Sequence, residues 1–382
     1  MATKNKGVAI SALVSRVQQE IDRQLERSDD PPLSDLGIVD EQSGDSRVLD
    51  LTWMRKYSMM NEAIGERTDQ ENMRLFKSRM YNQTYWNTEP IDIRDIEDDV
   101  GMLNPEGIAT SLQRGYQDRL EWEEFSYLTH AFDKNFVGGQ TTGEFGETIY
   151  QGTMDGEPLL SDSHPYFEQI DYDATAPRGK RMTIEAGGEF SNLVNTPLSE
   201  DALWNAWESF NKLVDFRGRP ANYGEPDTLI IGPNLTRTAT QILELSNKVV
   251  DSDGGAGAGT VENETQNMVD VYTNNYLTGE TTIDIDFGGS TYTDQTIDLD
   301  NVWFLVNSDA AVSPFVRWLR KPFELQTPVG TPNLDSDSPA AGEVSEQIFN
   351  NDRLKIGGRA RFGMSFGMPQ VIYGSLGGVT LS

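Results

Sequence analysis

Two histidines, no cysteine and 61 carboxylates are the material from which this 382-residue chain would have to build a reactive centre. His130 falls within a helical apolar stripe, and His164 sits in a turn before Pro165. Neither has a second His or a Cys at ligand spacing, so a zinc site or a nucleophile–base triad has little to build on. The stretch Gly254-Gly255-Ala256-Gly257-Ala258-Gly259-Thr260 lacks the Lys-Ser/Thr pair that reaches phosphate and metal, and reads as a surface loop. Asp251, Asp253 and Glu262 occupy the first, third and twelfth positions of a calcium-loop spacing. Gly255 then stands where the third acidic ligand belongs, and Ala256 where the sharp turn needs glycine. Asp95, Glu97, Asp98 and Asp99 supply enough oxygens for a hard cation and are the weak metal candidates, although charges this dense ordinarily form a solvated face. No catalytic residue and no cofactor is expected.

Residues 47–100 interleave aromatic and basic positions, among them Trp53, Arg55, Lys56, Arg74, Phe76, Arg79, Tyr85 and Trp86. Such interleaving suits stacking on single-stranded nucleic acid, but Asp50, Glu62, Glu66, Asp69 and Glu71 cancel the charge that a backbone-tracking groove needs. An extended hairpin reaching a neighbouring subunit fits better, since Arg and aromatic residues are the usual interface anchors. Arg317 and Arg320, in a later apolar segment, complete the set of interface candidates.

Sixty-one acidic against 31 basic residues give a formal charge of −30, and the basic residues divide into 21 Arg and 10 Lys. Self-repulsion of that size calls for salt, because at molar ionic strength the Debye length falls to about 3 Å. The balance points to a halophilic source and excludes a uniformly basic nucleic-acid-binding face. No run of eighteen apolar residues occurs, so no membrane partner is expected. Without cysteine the redox compartment leaves no trace.

Periodicity predicts a mixed α+β chain. Val8, Ile10, Leu13, Val14, Val17, Ile21 and Leu25 mark an amphipathic helix over residues 8–27, whose stripe packs either on its own domain or on another subunit. Ile91–Arg94 alternates as a strand, and Asn104-Pro105 opens a helix of about thirty residues running to Gly138-Gly139. Ser199 caps a further helix through Val214, Thr228–Ile231 is a short buried strand, and Pro233-Asn234 opens a third helix. Met268–Tyr272 and Val302–Val306 read as strands, Pro314–Leu325 as an edge-type strand flanked by prolines, and Arg353–Gly378 as the closing hairpin of a sheet.

Several segments, in order, resemble Mu-like major head subunits, the shell proteins of tailed viruses built on the Hong Kong 97 capsid fold. Ile91–Gly101 resembles the family's acidic lead into its long helix, and Asp155–Pro165 is similar to its run from Asp-Gly to His-Pro. Ser191-Asn192-Leu193 with Pro197-Leu198-Ser199, Gly218-Arg219-Pro220 with Leu229–Pro233, and Trp303-Phe304-Leu305 resemble its later motifs. Asn234 departs from the family's second proline, and the first third of the chain matches poorly.

The resemblance implies an N-terminal arm at 1–46, an extended loop at 47–100 and a peripheral domain with a spine helix at 101–197. It further implies an axial α/β domain at 198–312 and return strands at 313–382. Hexamers and pentamers of one chain would then tile an icosahedral head in a haloarchaeal virion assembled in the host cytoplasm. That head would enclose double-stranded DNA without sequence-specific binding and leave room for cement or portal proteins. An encapsulin-like compartment, or a halophilic enzyme or secreted cation-binding protein, stands as the alternative.

Overall fold

The computed structural model describes residues 2–25, 31–46, 48–54, 75–92, 105–136, 140–142, 148–150, 153, 155–165, 168–171, 183–186, 188–214, 223–245, 247–250, 259–263, 265–326 and 353–382. In chain order the first elements are α1 (Ala2–Leu25), α2 (Pro32–Asp35), β1 (Val39–Ser43), β2 (Val48–Met54), β3 (Leu75–Tyr81) and β4 (Gln83–Asp92). The long helix α3 (Pro105–Thr129) follows, then β5 (Gln140–Thr142), β6 (Thr148–Tyr150), β7 (His164–Pro165), β8 (Glu168–Asp171) and β9 (Thr183–Ala186). Next come β10 (Glu189–Phe190), β11 (Leu193–Val194), α4 (Glu200–Asn211), β12 (Thr228–Ile231), α5 (Thr236–Leu243), β13 (Asn247–Val250) and β14 (Gly259–Glu262). The last are β15 (Asp270–Thr273), β16 (Glu280–Phe287), β17 (Ser290–Asp298), β18 (Trp303–Val306), β19 (Phe315–Gln326), β20 (Arg353–Phe366) and β21 (Ile372–Ser375). The chain is a mixed α+β protein, as the periodicity predicts.

Helix α3 is the axis on which the rest is hung. Pro105 occupies its first position, where a missing N–H costs nothing, and 25 residues at ~1.5 Å each give a rod of about 37 Å. It ends at Thr129, sooner than the apolar stripe suggests, because side chains take over the carbonyls of the last turn. His130 Nδ1 lies 2.8 Å and Thr129 Oγ1 3.1 Å from the Ser126 carbonyl. The chain then turns with Leu160 N donating to Ala131 O. Phe132 stays in phase because the turn enters the same core, stacked on Phe304.

One flank of α3 lies on a four-stranded sheet ordered β1-β19-β20-β4. Residues 356, 358, 360 and 362 of β20 point toward α3, and residues 355, 357, 359 and 361 point away. Gly358 is required on the inner side, where an added Cβ would stand 2.1 Å from the Phe323 ring. Strand β19 is interior, paired in parallel with β1 and antiparallel with β20, so the edge-strand expectation is corrected. Pro322 is tolerated because β1 pairs only as far as Leu319 and the β19–β20 register shifts between Lys321 and Glu324. Strand β20 is likewise central, shared between β19 and β4, and does not close a hairpin.

Along another flank α1 packs on α3, burying Leu13, Val17 and Ile21 against Ala109, Leu112, Phe323 and Ile356. This resolves the helix's stripe in favour of its own chain. Each fully buried side chain of this kind contributes about 1.5–3 kcal/mol, without which an isolated helix of this length is marginal. Its first turn extends before Val8 because helical hydrogen bonding needs no apolar face.

The C-terminal end of α3 abuts a five-stranded sheet ordered β11-β21-β18-β12-β15. Both faces are covered, which is why Thr228–Ile231 and Trp303–Val306 are buried at every position and almost wholly apolar. Ile230, Phe304 and Val306 join the core that holds Phe125, Leu128 and Phe132 of α3. Leu229, Ile231, Trp303 and Leu305 face the opposite way, onto Leu203, Ala206 and Phe210 of α4 and Ala239, Ile242 and Leu243 of α5. Ser199 caps α4 as expected, its hydroxyl accepting from Ala202 N at 3.1 Å. The hairpin β16–β17 is new relative to the sequence reading. Its signal was present in the alternation through Ile283 and Ile285 and in Gly288-Gly289, whose φ values of 62° and 75° suit a tight turn.

Candidate functional site

The turn-rich run 155–165 is a joint between elements. His164 and Asp155 are buried side by side, Nδ1 to Oδ2 at 2.7 Å, and His164 stacks on Phe190, its partner in the β7–β10 pairing. His164 Nε2 lies 3.2 Å from the Leu159 carbonyl, so both ring nitrogens have polar partners. The Asn192 amide donates to Leu159 O and Pro369 O, each at 2.8 Å, and to Ile372 O at 3.2 Å, while its oxygen accepts from Ser161 N. One side chain thereby ties the run to β11 and to the last strand of the chain. Both histidines serve packing here: His130 stacks on Phe136 and bonds its own helix.

A second joint is ionic. Glu124, wholly buried on α3, accepts from Leu33 N at 3.1 Å, Ser34 Oγ at 2.5 Å and Arg317 Nη1 at 2.8 Å. Arg317 also gives Nε and Nη2 to Glu41 on β1. Burial outweighs these donors and holds the Glu124 carboxyl above its ordinary value. Arg317 is thus corrected from a surface anchor to an internal one: it is 4% exposed, because odd-numbered positions at that end of β19 face α3. Glu41 and Glu124 carried no signal in the sequence, being two carboxylates among 61.

The remaining interface candidates divide sharply. Tyr85 stacks on Phe362 with centroids 4.4 Å apart, and the Arg119 guanidinium lies between the Tyr85 and Trp122 rings, 4.5 and 4.4 Å from their centroids. Its hydroxyl meets Glu123, whose carboxyl is raised by the same burial, so Tyr85 clamps β4 onto α3. Trp86, one residue on, points the other way and is 78% exposed. Arg320 donates to Asp45 O at 2.9 Å, at the surface. Arg79 is half-buried on β3, opposite Asp50, and Trp53 stands opposite Phe76 in the β2–β3 register. Arg55, Lys56 and Arg74, and the acidic group Asp95, Glu97, Asp98 and Asp99, lie outside the described residues.

Among the described residues no grouping of three or more His, Asp or Glu is arranged to hold a metal ion. No described helix is long and apolar enough to cross a membrane.

No protein-family model matches the chain, and neither does any curated protein. Among solved structures it is similar to a chain of the bacteriophage JBD30 procapsid, at 12% identity over 96% of this chain and 74% of that one, with a TM-score of 0.43. It is similar to a chain of the Cyanophage P-SCSP1u capsid, at 10% identity, 88% and 86% coverage and a TM-score of 0.44. A chain of the capsid of an empty GTA particle gives 10% identity, 91% and 90% coverage and a TM-score of 0.42.

Proposed function

We propose that this chain is a shell-building subunit of the Hong Kong 97 type, with a mechanical role and no catalytic one. The observation that carries the reading is architectural: a long helix laid along a four-stranded sheet, with the β2–β3 pairing beside it and an α/β layer at the helix's far end. The motifs behind the family resemblance support it, because Asp155, His164 and Asn192 sit at the joint that binds helix, run and final strand. Residues 1–46 are then the arm, 47–100 the extended loop, 101–197 the peripheral domain, 198–312 the axial domain and 313–382 the return strands.

In the finer form of this reading, hexamers and pentamers close an icosahedral head around double-stranded DNA, and the particle is a virion assembled in the host cytoplasm. The acid excess and the preference for Arg over Lys favour a haloarchaeal host. Inner walls need not be basic, since counterions can neutralise the packaged phosphates. Cement and portal proteins are compatible additions. Electron microscopy of the protein expressed and purified in molar salt tests the proposal. Closed shells of uniform size are expected; a stable monomer across a wide concentration range rejects it. Nuclease-protected DNA inside the shells separates a genome container from one built for protein cargo.

A further inference from the structure

Among the described residues, one face of the four-stranded sheet is covered over only half its length. Positions of β19, β20 and β4 that point away from α3 include Val316 and Trp318 at one end, both buried beneath Met80 and Leu49. Past Leu319 that cover stops among the described residues. The same face continues with Lys321, Arg359, Arg361, Lys355 and Trp86, because the register sets Lys321 opposite Arg361, Arg361 opposite Thr84, Arg359 opposite Trp86 and Lys355 opposite Pro90. Here a chain with two acids for every base presents four cations around an exposed indole.

One carboxylate answers them. Glu324 lies 3.4 Å from Lys321 Nζ and 3.3 Å from Arg359 Nη2, whereas Lys355 and Arg361 have no carboxylate partner among the described residues. The ring of Trp86, 78% exposed, is the kind of rigid apolar anchor that contributes most once desolvated, and the flanking cations set which surface can cover it.

We propose that this open half of the sheet is a docking surface for a carboxylate-rich face of a second copy of the same chain. The inference rests on the shell reading and names one contact within it. Charge complementarity selects the occupant: with 61 carboxylates against 31 basic groups, another copy supplies the acidic side chains that these cations lack, and the covered half of the same face already carries a protein cover. Nucleic acid is the weaker fit, since four cations shared with Glu324 do not form the continuous basic track that a phosphate backbone requires.

The test uses the full chain in molar salt, mixing copies of natural and heavy nitrogen before assembly and coupling amines to carboxylates with a zero-length carbodiimide. Amide links from Lys355 or Lys321 to Asp or Glu of the other isotope are expected, and they vanish when assembly is prevented by dilution. The double variant Lys355→Glu/Arg361→Glu, and separately Trp86→Ala, should raise the concentration for half-assembly by about tenfold or more. Lys355→Gln/Arg361→Gln, with an unchanged thermal midpoint, serves as the folding control and should show a smaller rise. If the wild-type chain stays monomeric, the shell reading falls and this surface with it. If it assembles while the links stay within one chain and the reversed variant assembles normally, this contact alone is wrong. Normal assembly with loss only of enclosed nucleic acid would reassign the face to phosphate and equally overturn the proposal.

Discussion

At the scale of single residues, Asn192 and Glu124 do more than their exposure or charge would suggest. Asn192 satisfies three carbonyls and one amide at a buried joint, so Asn192→Ala leaves several polar groups without partners. The expected loss is roughly 2–4 kcal/mol, read as a lower denaturation midpoint with an unchanged slope. Glu124 makes a signed prediction. Its carboxyl is held above the ordinary 4.5 by burial, against the donors from Ser34, Arg317 and Leu33. The folded chain therefore binds this proton more tightly than the unfolded one. The favourable contribution is complete below the unfolded value and is lost as pH rises through the folded value. In Glu124→Gln, stability should fall less as pH climbs through the window just above 4.5, in thermal melts at matched salt. At neutral pH the same variant should be less stable by about 1–3 kcal/mol, because Arg317 keeps only Glu41 as a charged partner.

Elements succeed here by being shared. Helix α3 is packed by α1, by the four-stranded sheet and by the five-stranded sheet, so disturbance at one flank should spread unevenly. Val17→Asp places a carboxylate where the side chain is fully buried. Loss of α1 docking is expected, by roughly 2–4 kcal/mol, seen as hydrogen exchange rising across residues 2–25 and the facing side of α3 while α4 and α5 stay protected. Gly358→Ala tests the opposite flank. Its Cβ would collide with the Phe323 ring, which is itself wedged between sheet and helix, so about 1–3 kcal/mol of destabilisation is expected in denaturant titrations.

For the whole molecule, charge decides the conditions under which any of this holds. Repulsion among carboxylates at a formal −30 is screened over about 8 Å at 0.15 M salt and about 3 Å at 1 M. The thermal midpoint of the isolated chain should rise with potassium chloride. On the shell reading, assembled particles should loosen as salt is dialysed away, a loss of scattering that reverses when salt is restored. Particles indifferent to salt would show that burial between copies dwarfs the repulsion.

What is legible in the sequence alone follows one physical rule: signals repeated within a few residues survive there. The stripe Leu13–Val17–Ile21, the Ser199 cap and the twin apolar strands at 228–231 and 303–306 are local, and each lies where its spacing put it. The end of α3 was blurred because the turn after it shares the helix's core, so the stripe outlasts the hydrogen bonds. Three decisions were invisible because they depend on partners far along the chain. Arg317 is inside through Glu41 and Glu124, β19 is central through β1 and a register shift that excuses Pro322, and Asn192 is a hub through Leu159, Pro369 and Ile372. Which side of a strand meets a helix, and which is left open with its cations, is settled only when distant segments pack, since that is when desolvation assigns each charge a partner or leaves it to be shared with another molecule.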